Sequence, residues 1–122
     1  MTLRANLKRG TVEQLQSILS AAGVAVHRTG ESAVTLDKPQ AAARIPGFAE
    51  GRVSVQDLGA QQAAQLLGTV TGMRVLDACA APGGKTAHIL ERIDCDLTAL
   101  DRDVTRLDTV REIGRASCRE RV

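Results

Sequence analysis

One segment of the chain places small side chains, a proline and two adjacent glycines directly after an aspartate. It occupies residues 77–86 and reads Asp-Ala-Cys-Ala-Ala-Pro-Gly-Gly-Lys-Thr. Small residues let the backbone approach a ligand closely, and a helix that starts at such a turn points its first N–H groups toward that ligand. A second carboxylate, Asp101, follows the next strand-like run and can accept hydrogen bonds from ribose hydroxyls. The pattern predicts a nucleotide-binding turn.

Three classes of ligand, and a turn that binds no ligand, are compatible with this segment. A P-loop for ATP or GTP would end in Gly-Lys-Thr as residues 84–86 do, but it needs glycine where Cys79 stands, and Pro82 offers no N–H. A dinucleotide needs spaced glycines, whereas Gly83 and Gly84 are adjacent. S-adenosylmethionine (SAM) carries an adenosine that uses the same acidic residue but no pyrophosphate, which suits a loop with fewer glycines. Residue chemistry favours SAM and leaves the others open.

The elements around the turn alternate between strand and helix. A strand is predicted over residues 73–78, a helix over 84–92 and a strand over 97–100, and Asp103 caps a further helix. Strand, glycine turn, helix, strand and acidic residue form the opening of a doubly wound α/β fold, so this part of the chain predicts a Rossmann-like domain. The predicted second unit covers residues 47–112. It begins with a strand over residues 52–56 and a helix whose buried stripe is expected to be Ala60, Ala63, Ala64 and Leu67.

Residues 1–46 predict a smaller α+β unit. A strand over residues 3–7 precedes a helix with a capping box formed by Thr11 and Gln14, and Gly23 ends that helix. Strands follow over residues 24–26 and 33–36, with turn residues between them. The buried face of the helix is expected to be Val12, Leu15, Ile18, Leu19 and Ala22. Residues 39–46 predict a linker.

Composition excludes several classes of protein. The chain has 122 residues, of which 43% are hydrophobic, and no run approaches the roughly 20 apolar residues of a membrane span. Its first residues, Met-Thr-Leu-Arg, contain no apolar segment typical of a signal peptide, and its 3 cysteines favour a reducing, cytoplasmic setting over a disulfide framework. A single phenylalanine, with no tyrosine or tryptophan, excludes an aromatic platform for stacking unpaired bases within this stretch.

The last ten residues, 113–122, predict a tail that is foreign to the protein. They read Ile-Gly-Arg-Ala-Ser-Cys-Arg-Glu-Arg-Val, which matches in order the conceptual translation of a common short-read sequencing adapter. Without the three arginines and one glutamate of this tail, the formal net charge of +2 falls to zero. The apparent basicity is therefore no argument for nucleic-acid binding.

The segment at residues 77–86 closely resembles the cofactor motif of the Sun (RsmB-type) family of RNA cytosine-5 methyltransferases. The resemblance covers nearly all of residues 2–112, and the Cys-Ala-Ala-Pro-Gly-Gly-Lys string is highly specific to the family. The flanking segments favour the bacterial 16S ribosomal RNA members over relatives that act on transfer RNA. The other matching segments are residues 3–6, 46–51, 53–57, 88–91 and 97–101.

The resemblance implies SAM as the cofactor and small-subunit ribosomal RNA as the substrate. It implies that Asp101 holds the ribose and that the loop wraps the cofactor through Cys79, Ala80, Ala81, Pro82, Gly83, Gly84 and Lys85. In the family, two cysteines of later motifs perform the covalent chemistry at C6 and C5 of cytosine, and neither motif is present here. We therefore expect no catalytic residue, an incomplete fold and an inactive polypeptide. A transfer-RNA methyltransferase of the same family and a non-catalytic RNA-binding module remain as alternatives.

Several other residues carry narrower expectations. Cys79 is expected to bind cofactor and not to act as a nucleophile, and Asp77 is expected to orient the loop by accepting backbone hydrogen bonds. His88 is expected at the surface, and neither histidine has partners at metal-ligand spacing, so no metal is expected. Arg4, Lys8 and Arg9 are expected either to contact RNA phosphates or to form a solvated strand end. The sequence contains no pattern that indicates an oligomeric state or a contact with a membrane, and no membrane partner is expected.

If residues 113–122 are adapter-derived, the DNA that encodes them will match the adapter codon for codon from Ile113 onward. Sequencing of the encoding DNA measures this directly. Synonymous codons scattered through the segment would show that it belongs to the gene.

Overall fold

A computed structural model describes residues 1–68 and 70–117 of the chain. Contacts between residues divide the chain into two units between Gln61 and Gln62. The elements of the first unit are strand β1 (Thr2–Ala5), helix α1 (Val12–Ala21), strand β2 (Val26–Arg28), strand β3 (Ala33–Leu36), a short 3₁₀ helix (Ala42–Arg44) and strand β4 (Val53–Val55). Helix α2 (Leu58–Leu66) contains the boundary.

The first unit is an antiparallel sheet with one helix packed on it. The strand order is β2-β3-β1-β4, so β1 is an inner strand, and Leu3 lies opposite both Val34 and Val55. Thr11 caps α1: its hydroxyl accepts from the Gln14 N–H at 3.2 Å, and the Gln14 side chain accepts from the Thr11 N–H at 2.9 Å. This confirms the predicted capping box. The core consists of Leu3, Ala5, Val12, Leu15, Leu19, Val34, Leu36, Ile45 and Val53.

The boundary between the units differs from the predicted one at residues 46 and 47. Strand β4 pairs with β1, with Ser54 opposite Arg4, and so completes the sheet of the first unit. The segment predicted as a linker is also part of this unit, because Ile45 is only 3% exposed and packs in its core. Val53 contributes a second apolar side chain to the same core, which is why residues 47–61 fold with the first unit.

A buried arginine lies on the inner strand of this sheet. Arg4 is fully buried, and its guanidinium donates to the side-chain oxygen of Gln56 and, at 3.4 Å, to the hydroxyl of Ser54. Gln61 donates at 3.0 Å to the carbonyl of Gln56 and extends this polar cluster. Both expectations for Arg4, an RNA contact or a solvated strand end, are therefore wrong, because its side chain is fully buried and donates to partners within the first unit. For Lys8 and Arg9, which are exposed, an RNA contact stays a prediction.

The second unit contains a parallel pair of strands joined by a helix. Its elements are strand β5 (Arg74–Asp77), helix α3 (Gly84–Arg92), strand β6 (Asp96–Ala99) and helix α4 (Val104–Ser117). Strands β5 and β6 pair in parallel, with Val75 opposite Leu97. Ala64, Ile89, Leu90 and Leu97 form the buried core, so the described chain as a whole is a mixed α/β structure.

Several expectations about burial in the helices are wrong, including that for Ala22, which is exposed at the C-cap of α1. In α2 the buried residues are Gln61 and Ala64, which lie three residues apart on one helix face, whereas Ala63 and Leu67 of the predicted stripe are exposed. The polar Gln61 tolerates burial since its amide is hydrogen-bonded. His88, expected at the surface, is 2% exposed, because α3 contacts both β6 and α4 and is buried continuously from Thr86 to Glu91.

The predicted foreign tail lies partly outside the described residues, which end at Ser117, the last residue of α4. Within residues 1–68 and 70–117, no helix is long and apolar enough to cross a membrane.

Replacing Arg4 with Met will lower the free energy of unfolding of the first unit by about 2–3 kcal/mol, because the buried side-chain oxygen of Gln56 and the half-buried hydroxyl of Ser54 lose a charged donor. Urea denaturation followed by far-UV circular dichroism measures the loss, and suits a chain without tryptophan or tyrosine. Lys38→Met, at an exposed position, is the control and should change stability by less than about 0.5 kcal/mol. Equal stabilities for the two variants would contradict a structural role for Arg4.

Candidate functional site

The parallel pairing of β5 with β6 places the ends of both strands at one edge of the second unit. The Leu100 N–H donates to the Asp77 carbonyl at 2.8 Å, and the Ala80 N–H donates to the Leu100 carbonyl at 3.0 Å. The chain that leaves β5 is therefore hydrogen-bonded to the residue that follows β6 through Ala80, the third residue after Asp77. This segment, residues 79–85, is called the 79–85 loop below, and it lies between two carboxylates, Asp77 and Asp101.

Asp77 holds both ends of the 79–85 loop. Its Oδ1 accepts from the Cys79 N–H at 3.3 Å, and its Oδ2 accepts from the Thr86 hydroxyl at 2.7 Å. The first bond fixes the start of the loop, and the second reaches the first turn of α3, where the loop ends. The expectation that Asp77 orients the loop through a backbone hydrogen bond is confirmed.

Asp101 holds the middle of the 79–85 loop. Its Oδ2 accepts from the Ala81 N–H at 2.9 Å, and its Oδ1 accepts from the Asp103 N–H at 3.0 Å. These bonds, first from Asp103 and then from Ala81, lower the pKa of the Asp101 carboxyl below its ordinary value, because a backbone N–H stabilises the ionised form. A carboxylate has about four lone-pair positions, so two bonds leave Asp101 able to accept from further donors.

Gly83 makes the turn from the loop into α3. It is the N-cap of the helix and has a φ of +101°, a conformation that side chains with a Cβ rarely adopt. Its N–H donates to the Ala80 carbonyl at 2.6 Å, and its carbonyl accepts from the Ala87 N–H at 2.8 Å. The sequence signal of adjacent glycines thus has a local cause: the first one turns the chain and the second, Gly84, begins the helix.

The structure brings every predicted cofactor residue to this edge, with a range of exposures. Ala80 and Gly83 are buried, Ala81, Gly84 and Asp101 are half-buried, and Cys79, Pro82 and Lys85 are exposed. Nothing in their geometry identifies the ligand, so cofactor binding by these eight residues stays a prediction. The exposed small residues and the ionised carboxylate provide an accessible surface with a fixed hydrogen-bond acceptor.

Cys79 and Cys95, the two cysteines among the described residues, are free thiols in different surroundings. Cys79 is exposed, and its N–H is bonded to Asp77, whereas Cys95 is half-buried and packs against the core of the second unit. Across the described ranges, no group of three or more His, Cys, Asp or Glu side chains could hold a metal ion.

Thr86 is the residue of this site that sequence reasoning missed. It is 1% exposed, and its hydroxyl is one of the two donors that fix the Asp77 carboxylate. The signal was a hydroxyl residue in the first turn of the helix that follows the glycines.

Comparison with known proteins connects this site to one family. A family model described as 16S rRNA methyltransferase RsmB/F matches residues 64–120. The ribosomal RNA small subunit methyltransferase B of Vibrio cholerae serotype O1 is 48% identical over 115 residues, which cover 92% of this chain and 26% of that protein. The chain thus spans about a quarter of the length of the curated relatives that it matches.

Solved structures share the fold. A methyltransferase homologue from Pyrococcus horikoshii superposes with a TM-score of 0.82 at 26% identity, over 94% of this chain and 39% of that one. NSun6 from the same organism, solved with SFG, gives a TM-score of 0.81 over 94% of this chain and 54% of that one, and at 15% identity it is similar in fold alone.

The lowered pKa of Asp101 predicts a pH dependence of the loop. A carboxyl whose pKa is lower in the folded chain than in the unfolded chain stabilises the fold above its unfolded pKa, and this stabilisation is lost as the pH falls through the folded value. A ¹³C NMR titration of the Asp101 carboxyl should give a midpoint below the ordinary aspartate value, and the Ala81 and Asp103 amide signals should shift with the same midpoint. A midpoint at or above that ordinary value would contradict the observed hydrogen bonds.

Proposed function

Because the chain belongs to the RsmB/F methyltransferase family, we propose that it is part of a SAM-dependent enzyme that methylates C5 of a cytosine in 16S ribosomal RNA. The observation that carries this proposal is the joint position of the 79–85 loop and the ionised Asp101 at one edge of a parallel strand pair. The carboxyl ends of parallel strands are where open α/β folds bind nucleotides. The enzyme would act in the cytoplasm, on RNA of the small ribosomal subunit.

The residues present fit SAM better than they fit a nucleotide with a pyrophosphate. Pro82 lacks an N–H, and the Ala80, Ala81 and Gly83 N–H groups are occupied by internal hydrogen bonds, so they cannot cradle phosphates. SAM has no phosphate, but its ribose hydroxyls need an acceptor, and Asp101 retains acceptor positions. The structural neighbour solved with SFG, a SAM analogue, supports the same cofactor. When bound, SAM supplies a methyl group on a sulfonium, an electrophile.

The parallel β5-α3-β6 unit supports assignment of the second unit as the first part of a Rossmann-like domain. The first unit, a four-stranded antiparallel sheet with α1 on one face, supports an RRM-like assignment. Its strands bear no Phe, Tyr or Trp side chain, so base stacking on this sheet is not part of the proposal.

The chain's own residues contribute cofactor binding to the reaction and not the covalent steps. Attack on C6 of cytosine needs a thiolate that can approach the ring. This attack makes C5 nucleophilic. Cys79 lies within the proposed cofactor loop, and Cys95 packs against a core. We therefore assign the nucleophile to neither, and we assign binding to the loop and Asp101.

Asp101→Ala should weaken SAM binding by about 10- to 150-fold, because a charged acceptor for the ribose and the tether of Ala81 are both lost. Isothermal titration calorimetry with SAM measures the affinity. Asp37→Ala, which removes an exposed carboxylate of the first unit, is the matched control and should bind as the parent chain does. An unchanged dissociation constant for Asp101→Ala would remove Asp101 from the site, and absence of any SAM binding by the parent chain would count against the proposed cofactor.

A further inference from the structure

We propose that Thr86 is a positioning residue, which acts through Asp77 to hold the 79–85 loop in the shape that receives the cofactor. The part of this inference that concerns the cofactor rests on the proposed function. The part that concerns the loop rests on the contacts of Thr86 and Asp77 alone.

The bond between Thr86 and Asp77 is short and buried at its donor end. The hydroxyl donates to Asp77 Oδ2 at 2.7 Å, within the range of a hydroxyl bonded to a carboxylate, and Thr86 is 1% exposed. A hydroxyl has one hydrogen, so this bond uses the whole donor capacity of the side chain. A helical threonine often donates to a carbonyl of the preceding turn, whereas here the donor serves a residue on the far side of the loop.

The two oxygens of Asp77 connect the ends of the loop. A carboxylate is planar and rigid, so fixing Oδ2 on Thr86 also fixes Oδ1, which accepts from the Cys79 N–H. The loop leaves β5 at Asp77 and enters α3 at Gly84, so the Thr86 bond spans the whole loop. Without it, Asp77 can rotate about its side-chain bonds, and the Cys79 N–H loses a partner of fixed position.

The other attachments of the loop come from a different direction. Ala80 is bonded to the carbonyl of Leu100, and Ala81 to the carboxylate of Asp101, both beyond the end of β6. These bonds attach the middle of the loop to the residues that follow β6. Thr86, through Asp77, connects the start of the loop at Cys79 to the helix that follows the loop. Loss of the Thr86 hydroxyl should therefore loosen the loop at Cys79 while the bond from Ala81 to Asp101 remains.

Thr86→Val tests this directly, since valine keeps the shape of threonine and removes the donor. Amide hydrogen exchange measured by NMR on the whole chain should show faster exchange at Cys79, by about tenfold, and little change at Ala81. Thr86→Ser restores a hydroxyl and should restore slow exchange. Thr105→Val removes a comparable hydroxyl-to-carboxylate bond, 2.6 Å from Thr105 to Asp103, outside the loop, and should leave Cys79 unchanged.

SAM affinity is the second readout, measured by calorimetry on the same variants. Thr86→Val should weaken binding by about tenfold, Thr86→Ser should restore it, and Thr105→Val should not affect it. If the parent chain binds no SAM while Cys79 still responds to Thr86→Val, the proposed function fails and the positioning role stands. If the parent chain binds SAM and Thr86→Val binds equally well, with unchanged exchange at Cys79, the positioning role is overturned.

A double-variant cycle separates positioning from general stability. Asp77→Asn alters the other partner of the bond, and Thr86→Val should add little to its effect on Cys79 exchange if Thr86 acts through Asp77. Fully additive effects would overturn the proposal. Circular dichroism reports whether each variant folds, and Thr86→Ala, which places no methyl group beside the carboxylate, replaces Thr86→Val if that variant unfolds.

Discussion

Where β5 and β6 run side by side, their hydrogen bonds continue one step beyond the strands and attach the loop that follows. The Leu100 N–H bonds to Asp77, and the Ala80 N–H bonds back to Leu100. Because the strands are parallel, their carboxyl ends lie at the same edge of the sheet. Asp77 and Asp101, which stand at these ends, therefore both reach the same loop. An antiparallel pair would send the second carboxylate to the opposite end of the sheet. The candidate site depends on this single pairing.

The two aspartates serve the same loop in different ways. Asp77 accepts from Cys79 and Thr86, so it joins the start of the loop to the first turn of the helix. Asp101 accepts from Ala81 and Asp103, and its half-buried carboxylate keeps acceptor capacity toward solvent. A loop fixed before its ligand arrives does not lose that freedom on binding, which is a general source of affinity. Backbone bonds of Ala80 and Gly83 and the bonds to the two neighbouring carboxylates hold this loop, since its own side chains are mostly too small to make such bonds.

The first unit illustrates a different use of charge. Arg4 lies on the inner strand, where it is fully buried and donates to Gln56 and Ser54. Burying a guanidinium is favourable only when its N–H donors are hydrogen-bonded. Arg4 therefore requires polar side chains at Ser54 and Gln56, just as close packing requires apolar side chains in the core. Basic residues near the start of the chain are thus not equivalent: Arg4 is structural, while Lys8 is exposed.

The sequence by itself determined the features that depend on neighbours a few residues apart. The capping box of Thr11, the helix from Gly84 to Arg92 and the turn at Gly83 follow from local hydrogen bonds and backbone preferences, and all were predicted correctly. Tertiary structure decided the burial of Arg4 and His88, because that burial depends on which distant elements cover each residue. It also decided that β4 joins the first sheet, since strand pairing is a contact between segments about 50 residues apart, which no local pattern encodes.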